Sequence, residues 1–317
     1  MPILGSLLHF GYAPLLLIGI NGAAIHAIAT EDRPWLPALL LVGAVVVSFG
    51  AERVVPYNIE WNHSHGDRSR DFVHAIVNEA SAWAGLLLLP LVTSFTANAG
   101  TWPSSWPFVL QVVLGVVVLD AGVTLAHFAS HRWSFLWRFH AVHHSVRRMY
   151  GLNGLMKHPI HQTIETMAGT VPLIAIGLPT DVALALVFLV ATQLLLQHSN
   201  VDYTLGPLRT WIATNEVHRF HHQSDPDRGD VNFGLFSTIW DRLLGTFHYE
   251  QRARFETSEL GIADRPDYPA AYVAQLIEPF RRGLSGTATP LYSSEEMSPS
   301  SSIVEAPRIA DGETPNI

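Results

Sequence analysis

Four stretches of roughly twenty residues, Leu7–Ala29, Trp35–Val55, Phe72–Phe95 and Trp106–Ala126, are almost wholly apolar. Each is long enough to cross roughly 30 Å of hydrocarbon as a helix, and they read as four spanning helices. A fifth apolar region, Ile164–Gln197, is interrupted at Gly177-Leu178-Pro179-Thr180-Asp181. That break predicts a helical hairpin dipping into or through the bilayer and returning. No Lys or Arg precedes the first stretch and no small-residue cleavage site follows it, so it reads as an anchor and not as a removed signal. Only 15% of the 317 residues are charged, against about 25% in a soluble domain. The expected fold is therefore all-α, a multi-pass bundle of four spans and a hairpin.

Charge sets the expected topology. With the segment after the fourth helix on the cytoplasmic side, the opposite loops are Thr30–Pro34, Asn98–Ser105 and Pro179–Asp181. Of the nineteen Lys and Arg residues, only Arg33 lies in them, as the positive-inside tendency requires. A formal charge of −8 with a single lysine, Lys157, argues against nucleic acid as a partner. The chain has no cysteine, which removes disulfides, iron–sulfur clusters, thiolate haem and cysteine–zinc sites from consideration. Histidine and carboxylate must carry any metal.

Eleven of the seventeen histidines fall between His127 and His222. Nine of them form three clusters and one partner: His127 and His131; His140, His143 and His144; His218, His221 and His222; and His198. Residues three or four apart share one face of a helix, so each cluster presents two or three imidazoles to one point. Zinc is usually satisfied by four ligands, whereas a pair of first-row metals could use the whole set. The predicted topology brings every cluster to the same membrane face, as a cytoplasmic cap built from Ala126–Thr163 and Gln197–Glu250. Such a pair, held by neutral nitrogens at a membrane surface, suits activation of oxygen against an unreactive C–H bond of a lipid.

Other classes fit less well. A membrane haem electron carrier would pair histidines across facing helices within the bilayer. A zinc hydrolase would want a base beside its ligands, and no H-E-x-x-H occurs. A transporter needs polar residues at the midplane, where Asn21, Asn78 and Glu79 are the few available. His9, His26, His74 and His248 read as interfacial hydrogen-bonding residues, and His63 and His65 as part of a solvated loop. Trp133, Trp137, Trp211 and Trp240 read as interfacial anchors.

The order H-x3-H, H-x2-HH, H-x2-HH has Asp120 ahead of the first box. Leu136-Trp137-Arg138-Phe139-His140-Ala-Val-His143-His144-Ser145 forms the second box, and Gln197-His198-Ser199-Asn200 precedes the third. Together with Asn232-Phe233-Gly234, Trp240-Asp241-Arg242 and Gly245-Thr246, this resembles the fatty acid hydroxylase superfamily over about residues 115–250. That superfamily includes sterol desaturases, sphingolipid and fatty acyl hydroxylases, alkylglycerol monooxygenase and ornithine-lipid hydroxylases. The resemblance implies that the nine histidines hold two irons. It also implies that O2 and two electrons are used to hydroxylate or desaturate a lipid such as a sterol or a fatty acyl lipid, or alternatively an ornithine or ether lipid.

Asp120, two helical turns before His127, is placed to orient an imidazole, and Asp241 and Asn200 are further candidates. Some members carry a second histidine four residues before the position of His198, where this chain has Leu194. His158 and His161 resemble the family's His-Pro-x-Glu segment, with His161 in place of Glu. Either could supply a ligand, or His158 could cap the hairpin. Electrons are expected from a separate ferredoxin, cytochrome b5 or reductase, because the chain shows neither a cluster motif nor a cytochrome b5 haem segment. A bacterial inner membrane is the expected location, with the endoplasmic reticulum as the eukaryotic alternative. The chain divides into membrane helices (1–105), a catalytic region (106–250), a short cytoplasmic segment (251–284) and a disordered tail (285–317) rich in Ser, Pro, Thr and Glu.

Overall fold

The computed structural model describes residues 2–31, 33–96, 101–252 and 254–281. The tail predicted from Ser285 onward lies outside the described residues. Helix α1 (Pro2–Pro14) passes through one π-helical turn, Leu15–Ile20, into α2 (Asn21–Thr30). Helices α3 (Leu36–Val54), α4 (Arg68–Thr96), α5 (Phe108–Arg132), α6 (Ser134–His144), α7 (Pro159–Ala175) and α8 (Thr180–His198) follow. Four short helices complete the chain: α9 (Asn215–His221), α10 (Pro226–Gly229), α11 (Ile239–Leu244) and α12 (Tyr272–Ile277). Among the described residues no strand forms, and the extended segments meet only in isolated bridges.

Among the described residues five helices are long and apolar enough to cross a membrane: Ile3–Thr30, Leu36–Val54, Arg68–Leu91, Phe108–Arg132 and Thr180–His198. The fifth is the returning arm of the predicted hairpin, and α7 is its other arm. Gly177 turns the chain between them with φ +93°, a conformation glycine adopts without steric cost. A helix satisfies its own backbone in hydrocarbon, so the outer faces carry apolar side chains such as Leu7, Ile18, Val46, Leu87 and Val113, all exposed. The inner faces of α5, α7 and α8 bury Leu119, Val123, Leu173, Leu186 and Leu189 in one cluster. Some of the polar groups at depth are paired with one another or with carbonyls. Thr192 Oγ1 donates to Asn21 Oδ1 at 2.8 Å, and Asn78 Nδ2 donates to the carbonyls of Leu155 and Lys157.

The α5–α7 crossing depends on two glycines. A Cβ at Gly122 would lie 2.1 Å from the carbonyl oxygen of Ala168, and one at Gly169 would lie 3.1 Å from that of Leu119. Only residues without a side chain let the two backbones come this close.

Above the bundle sits a polar cap larger than the expected one. It recruits the α3–α4 connection and the C-terminal segment: Trp61, Met149, Phe220, Phe255 and Leu260 form one apolar cluster, and Asn58 Nδ2 donates to Phe255 O at 3.1 Å. His74 departs from its expected interfacial role. It is fully buried, with Nδ1 3.0 Å from Lys157 O and Nε2 2.9 Å from Gln275 Oε1, tying α4 to α12.

Candidate metal centre

The last two turns of α5 carry His127 and His131, and α6 carries His140, His143 and His144 on its final turns. His198 is the last residue of α8, and α9 supplies His218 and His221, with His222 as its C-cap. Four helix ends thus meet, and all nine rings are buried. They divide into two adjacent groups: His127, His131, His140, His144 and His221 in one, and His143, His198, His218 and His222 in the other. The sequence indicated one pool of nine, and the packing of the helix ends sorts it into five and four. The rings of His144 and His222 stack across the boundary with centroids 4.9 Å apart.

Tautomers follow from the outward-facing nitrogens. Nδ1 of His127 lies 2.9 Å from Phe233 O, that of His143 3.2 Å from Met156 O, that of His198 3.2 Å from Leu194 O, and that of His221 2.9 Å from Val231 O. A carbonyl can only accept, so each Nδ1 carries the proton and each Nε2 keeps its lone pair. Those lone pairs face one another. Nε2 of His127 and Nε2 of His221 are 2.9 Å apart, and those of His143 and His198 are 3.3 Å apart.

Neutral acceptors aimed at each other in a dry interior repel unless a cation lies between them. In the five-histidine group five neighbouring Nε2 pairs are 2.9 to 3.1 Å apart, and all ligand atoms lie within 4.8 Å of one another. Two ligands at right angles with metal–nitrogen bonds of roughly 2.0–2.1 Å are separated by about 3 Å. In the four-histidine group four neighbouring pairs are 3.1 to 3.4 Å apart, a slightly wider spacing. The residues present therefore fit a pair of nitrogen-bound metal ions.

Burial, reinforced by neighbouring imidazoles, holds His140, His143, His144, His218 and His221 well below the ordinary imidazole value. Burial and nearby positive groups lower His222 to about 3. The rings outside the membrane-crossing segments are thus kept neutral, as metal ligation requires.

The surrounding candidates take other places. Asp120, a candidate for orienting an imidazole, does so through the neighbouring loop and not by touching a ring. Its carboxylate accepts from the backbone N–H groups of Leu235, Phe236 and Ser237 and from the Ser237 hydroxyl. Asp241 accepts from the N–H groups of Phe233 and Gly234 and from Thr246 Oγ1. The two carboxylates clamp the loop whose Phe233 carbonyl holds His127, so they act one step from the ring. Asn200 also lies away from the rings. It joins the α8 terminus to Asn58 and Asn62.

His158 caps α7, accepting from Ile160 N at 3.1 Å. His161 is fully buried beside His140, with ring centroids 4.3 Å apart, and its Nε2 lies 3.0 Å from Ser130 Oγ. His140, His161 and Glu165 bring ligand atoms together as a third group. Lys157 Nζ already pairs with Glu165 Oε2 at 2.5 Å, so an ammonium occupies the position where an additional metal would be drawn. At the Leu194 position it is the backbone carbonyl that engages His198.

Two contributors were missed in the sequence. Asp230 lies 2.7 Å from His131 Nδ1, the carboxylate–imidazole pairing that orients and strengthens a ligand. An acidic residue eight positions past His222 was the available signal. Trp137, expected at the membrane interface, packs against His131 and His144 with centroids 5.0 and 5.3 Å away.

The family model described as Fatty acid hydroxylase matches residues 112–246, the stretch that builds this centre. Ornithine lipid hydroxylase OlsE of Rhizobium tropici is 31% identical over 277 residues, covering 84% of this chain and 82% of that protein. Alkylglycerol monooxygenase of Danio rerio is 32% identical over 146 residues, 46% of this chain and 31% of that protein. Sphingolipid C4-hydroxylase sur2 of Schizosaccharomyces pombe is 27% identical over 156 residues, 44% of this chain and 53% of that protein. No solved structure matches. With the histidine boxes and the near full-length similarity taken together, the chain belongs to the fatty acid hydroxylase superfamily.

Proposed function

We propose that this protein is an O2-dependent, di-iron hydroxylase of a membrane lipid, and that the lipid is of the ornithine-lipid class. The observation that carries the reading is the sorting of nine buried Nε2 atoms into two adjacent groups with metal-ligand spacing. Two irons held there would supply the oxidising power to insert one oxygen atom into an aliphatic C–H bond. The other oxygen atom leaves as water, made with two electrons and two protons.

The chain's own residues do the rest. The carbonyls of Phe233, Val231, Met156 and Leu194 and the carboxylate of Asp230 fix ring orientation, and burial excludes bulk water. The substrate reaches the centre from the bilayer, because an apolar chain gains nothing by leaving it. Electrons come from a separate carrier, a ferredoxin, cytochrome b5 or reductase. The distribution of Lys and Arg supports a cytoplasmic face for the centre, and the compact chain without a fused electron carrier supports a bacterial inner membrane.

The ornithine-lipid assignment is supported by extent of similarity. The match to OlsE runs far beyond residues 112–246 into the helices that would select a substrate, whereas the match to alkylglycerol monooxygenase covers less than half of the chain. The test is mass spectrometry of lipids from cells with and without the protein, beside metal analysis of the purified chain. An ornithine lipid gaining the mass of one oxygen atom, with two irons per chain, is expected. A haem, or an unchanged lipid profile with no metal bound, would overturn the reading, and loss of two hydrogens would make the enzyme a desaturase.

A further inference from the structure

Where the C-terminal end of α3 meets the N-terminal end of α4, a cavity of about 460 Å³ opens beneath the cap. Its apolar wall is formed by Phe49, Phe72 and Leu152, and its polar wall by Glu52, Arg53, Arg68, Arg148 and Trp61. These charges are unevenly matched. Arg148 is occupied, with Nε and one terminal nitrogen on the two oxygens of Asp67 at 2.7 and 2.9 Å and the other terminal nitrogen on Trp61 O at 2.8 Å. Arg53 and Arg68 each donate only to the carbonyl of Asn62, both at 3.2 Å, and neither makes an ion pair among the described residues. A guanidinium has five N–H donors, so most of theirs remain available.

One buried group points to a missing occupant. Glu52 is 3% exposed yet lines the cavity. Its Oε1 accepts from Gly151 N at 2.8 Å and Asn200 N at 3.0 Å, and its Oε2 makes no hydrogen bond. A buried carboxylate with one free oxygen favours a cationic donor, and two guanidinium groups with no carboxylate partner at the same cavity favour an anion.

We propose that this cavity seats the headgroup of the lipid substrate and that the headgroup is zwitterionic. Its ammonium is held by Glu52, and its anionic group by Arg53 and Arg68. The inference rests on the reading of the chain as a lipid hydroxylase and adds the headgroup chemistry it selects. A purely anionic phospholipid would satisfy the arginines but leave Glu52 facing negative charge, which disfavours it. A lipid, and not a free amino acid, is the occupant because the cavity lies between two membrane-crossing helices and is walled by aromatic rings, of which Phe72 is 57% exposed. The cavity is also close to the centre. Asn200, whose N–H binds Glu52, is two residues beyond His198, and a Cβ on Gly154, in the turn Gly151–Leu155, would lie 3.0 Å from His198 Nδ1.

The experiment is a binding competition on the full-length protein in micelles of an uncharged detergent, read without turnover. The probes are an ornithine-headed lipid, phosphatidylglycerol as an anion-only lipid, and free ornithine. The ornithine-headed lipid should bind about tenfold more tightly than phosphatidylglycerol, the value of one charge-assisted hydrogen bond. Glu52→Gln, which keeps the Oε1 acceptor, should abolish that preference, and the exposed pair Arg53→Gln, Arg68→Gln should weaken both lipids. Equal binding of the two lipids, or an arginine pair that changes nothing, overturns the proposal, and the arginine pair carries the test should Glu52→Gln fail to fold. Free ornithine binding as tightly as the lipid would overturn the lipid assignment. Headgroup binding without any oxidation product would sink the hydroxylase reading alone, while oxidation with variant-insensitive binding would sink the headgroup site alone.

Discussion

His143 and His222 belong to the four-histidine group, and each contributes a buried Nε2 with no substitute nearby. His143→Ala or His222→Ala should abolish turnover and lower bound iron, whereas His26→Ala, at an exposed site on α2, should leave both unchanged. Activity in lipid extracts and metal analysis of the purified variants check this, and an active His143→Ala protein would refute the ligand assignment. Asp230→Asn keeps the shape but removes the charge facing His131. Activity or metal affinity should fall by about 10–100-fold, the usual effect of losing a ligand-orienting carboxylate.

The depressed imidazoles also predict a pH dependence. In the unfolded chain they take up protons near the ordinary value of 6.5, while in the folded chain they do so only at lower pH, about 3 for His222. Below pH 6.5 the unfolded state therefore binds more protons, so stability falls as pH drops towards the folded values. The melting temperature of chelator-treated protein should decrease from about pH 7 to about pH 5, and a flat profile would contradict buried neutral rings. These local features were unevenly legible. Spacings of three and four residues identified the nine rings, because helical periodicity is a property of sequence. Asp230, Trp137 and the four carbonyl acceptors were not identified, because what a side chain or a carbonyl faces is set by packing.

At the scale of elements, the close crossing of α5 and α7 decides whether α5 presents His127 and His131 to the cap. A methyl group at Gly122 has no room against Ala168 O. Gly122→Ala should therefore destabilise by at least about 1–3 kcal/mol, the usual range for overpacking. Gly85→Ala on α4, where no atom lies within 4 Å of the added Cβ, serves as the control and should be neutral. Thermal unfolding in detergent measures both, and equal melting temperatures would argue against a tight crossing. The same scale explains Asp120. Its place two turns before His127 marked it as able to orient an imidazole, and the carboxylate reaches across to the loop of residues 235–237. Helical phase placed it on the correct face of α5, and the partner on that face was decided by a segment more than a hundred residues away.

For the whole molecule, the natural lack of cysteine makes topology directly measurable. Single substitutions Ser258→Cys in the cap and Ser104→Cys in the α4–α5 connection, both at exposed positions, should be labelled by a membrane-impermeant maleimide from opposite sides. Ser258→Cys should react only after the cytoplasmic face is opened. Labelling of both from one side would refute the proposed orientation.

The apolar stretches and the histidine spacings determined from sequence alone that this is a helical membrane protein with clustered imidazoles, since both signals are short-range and periodic. The division of nine rings into five and four, the cap's recruitment of residues 56–67 and 254–280, and the charged cavity beside α3 all join residues far apart in the chain. Those were decided by the tertiary structure, because which helix ends meet, and which backbone groups face them, depends on how the bundle packs and not on the local pattern of any one helix.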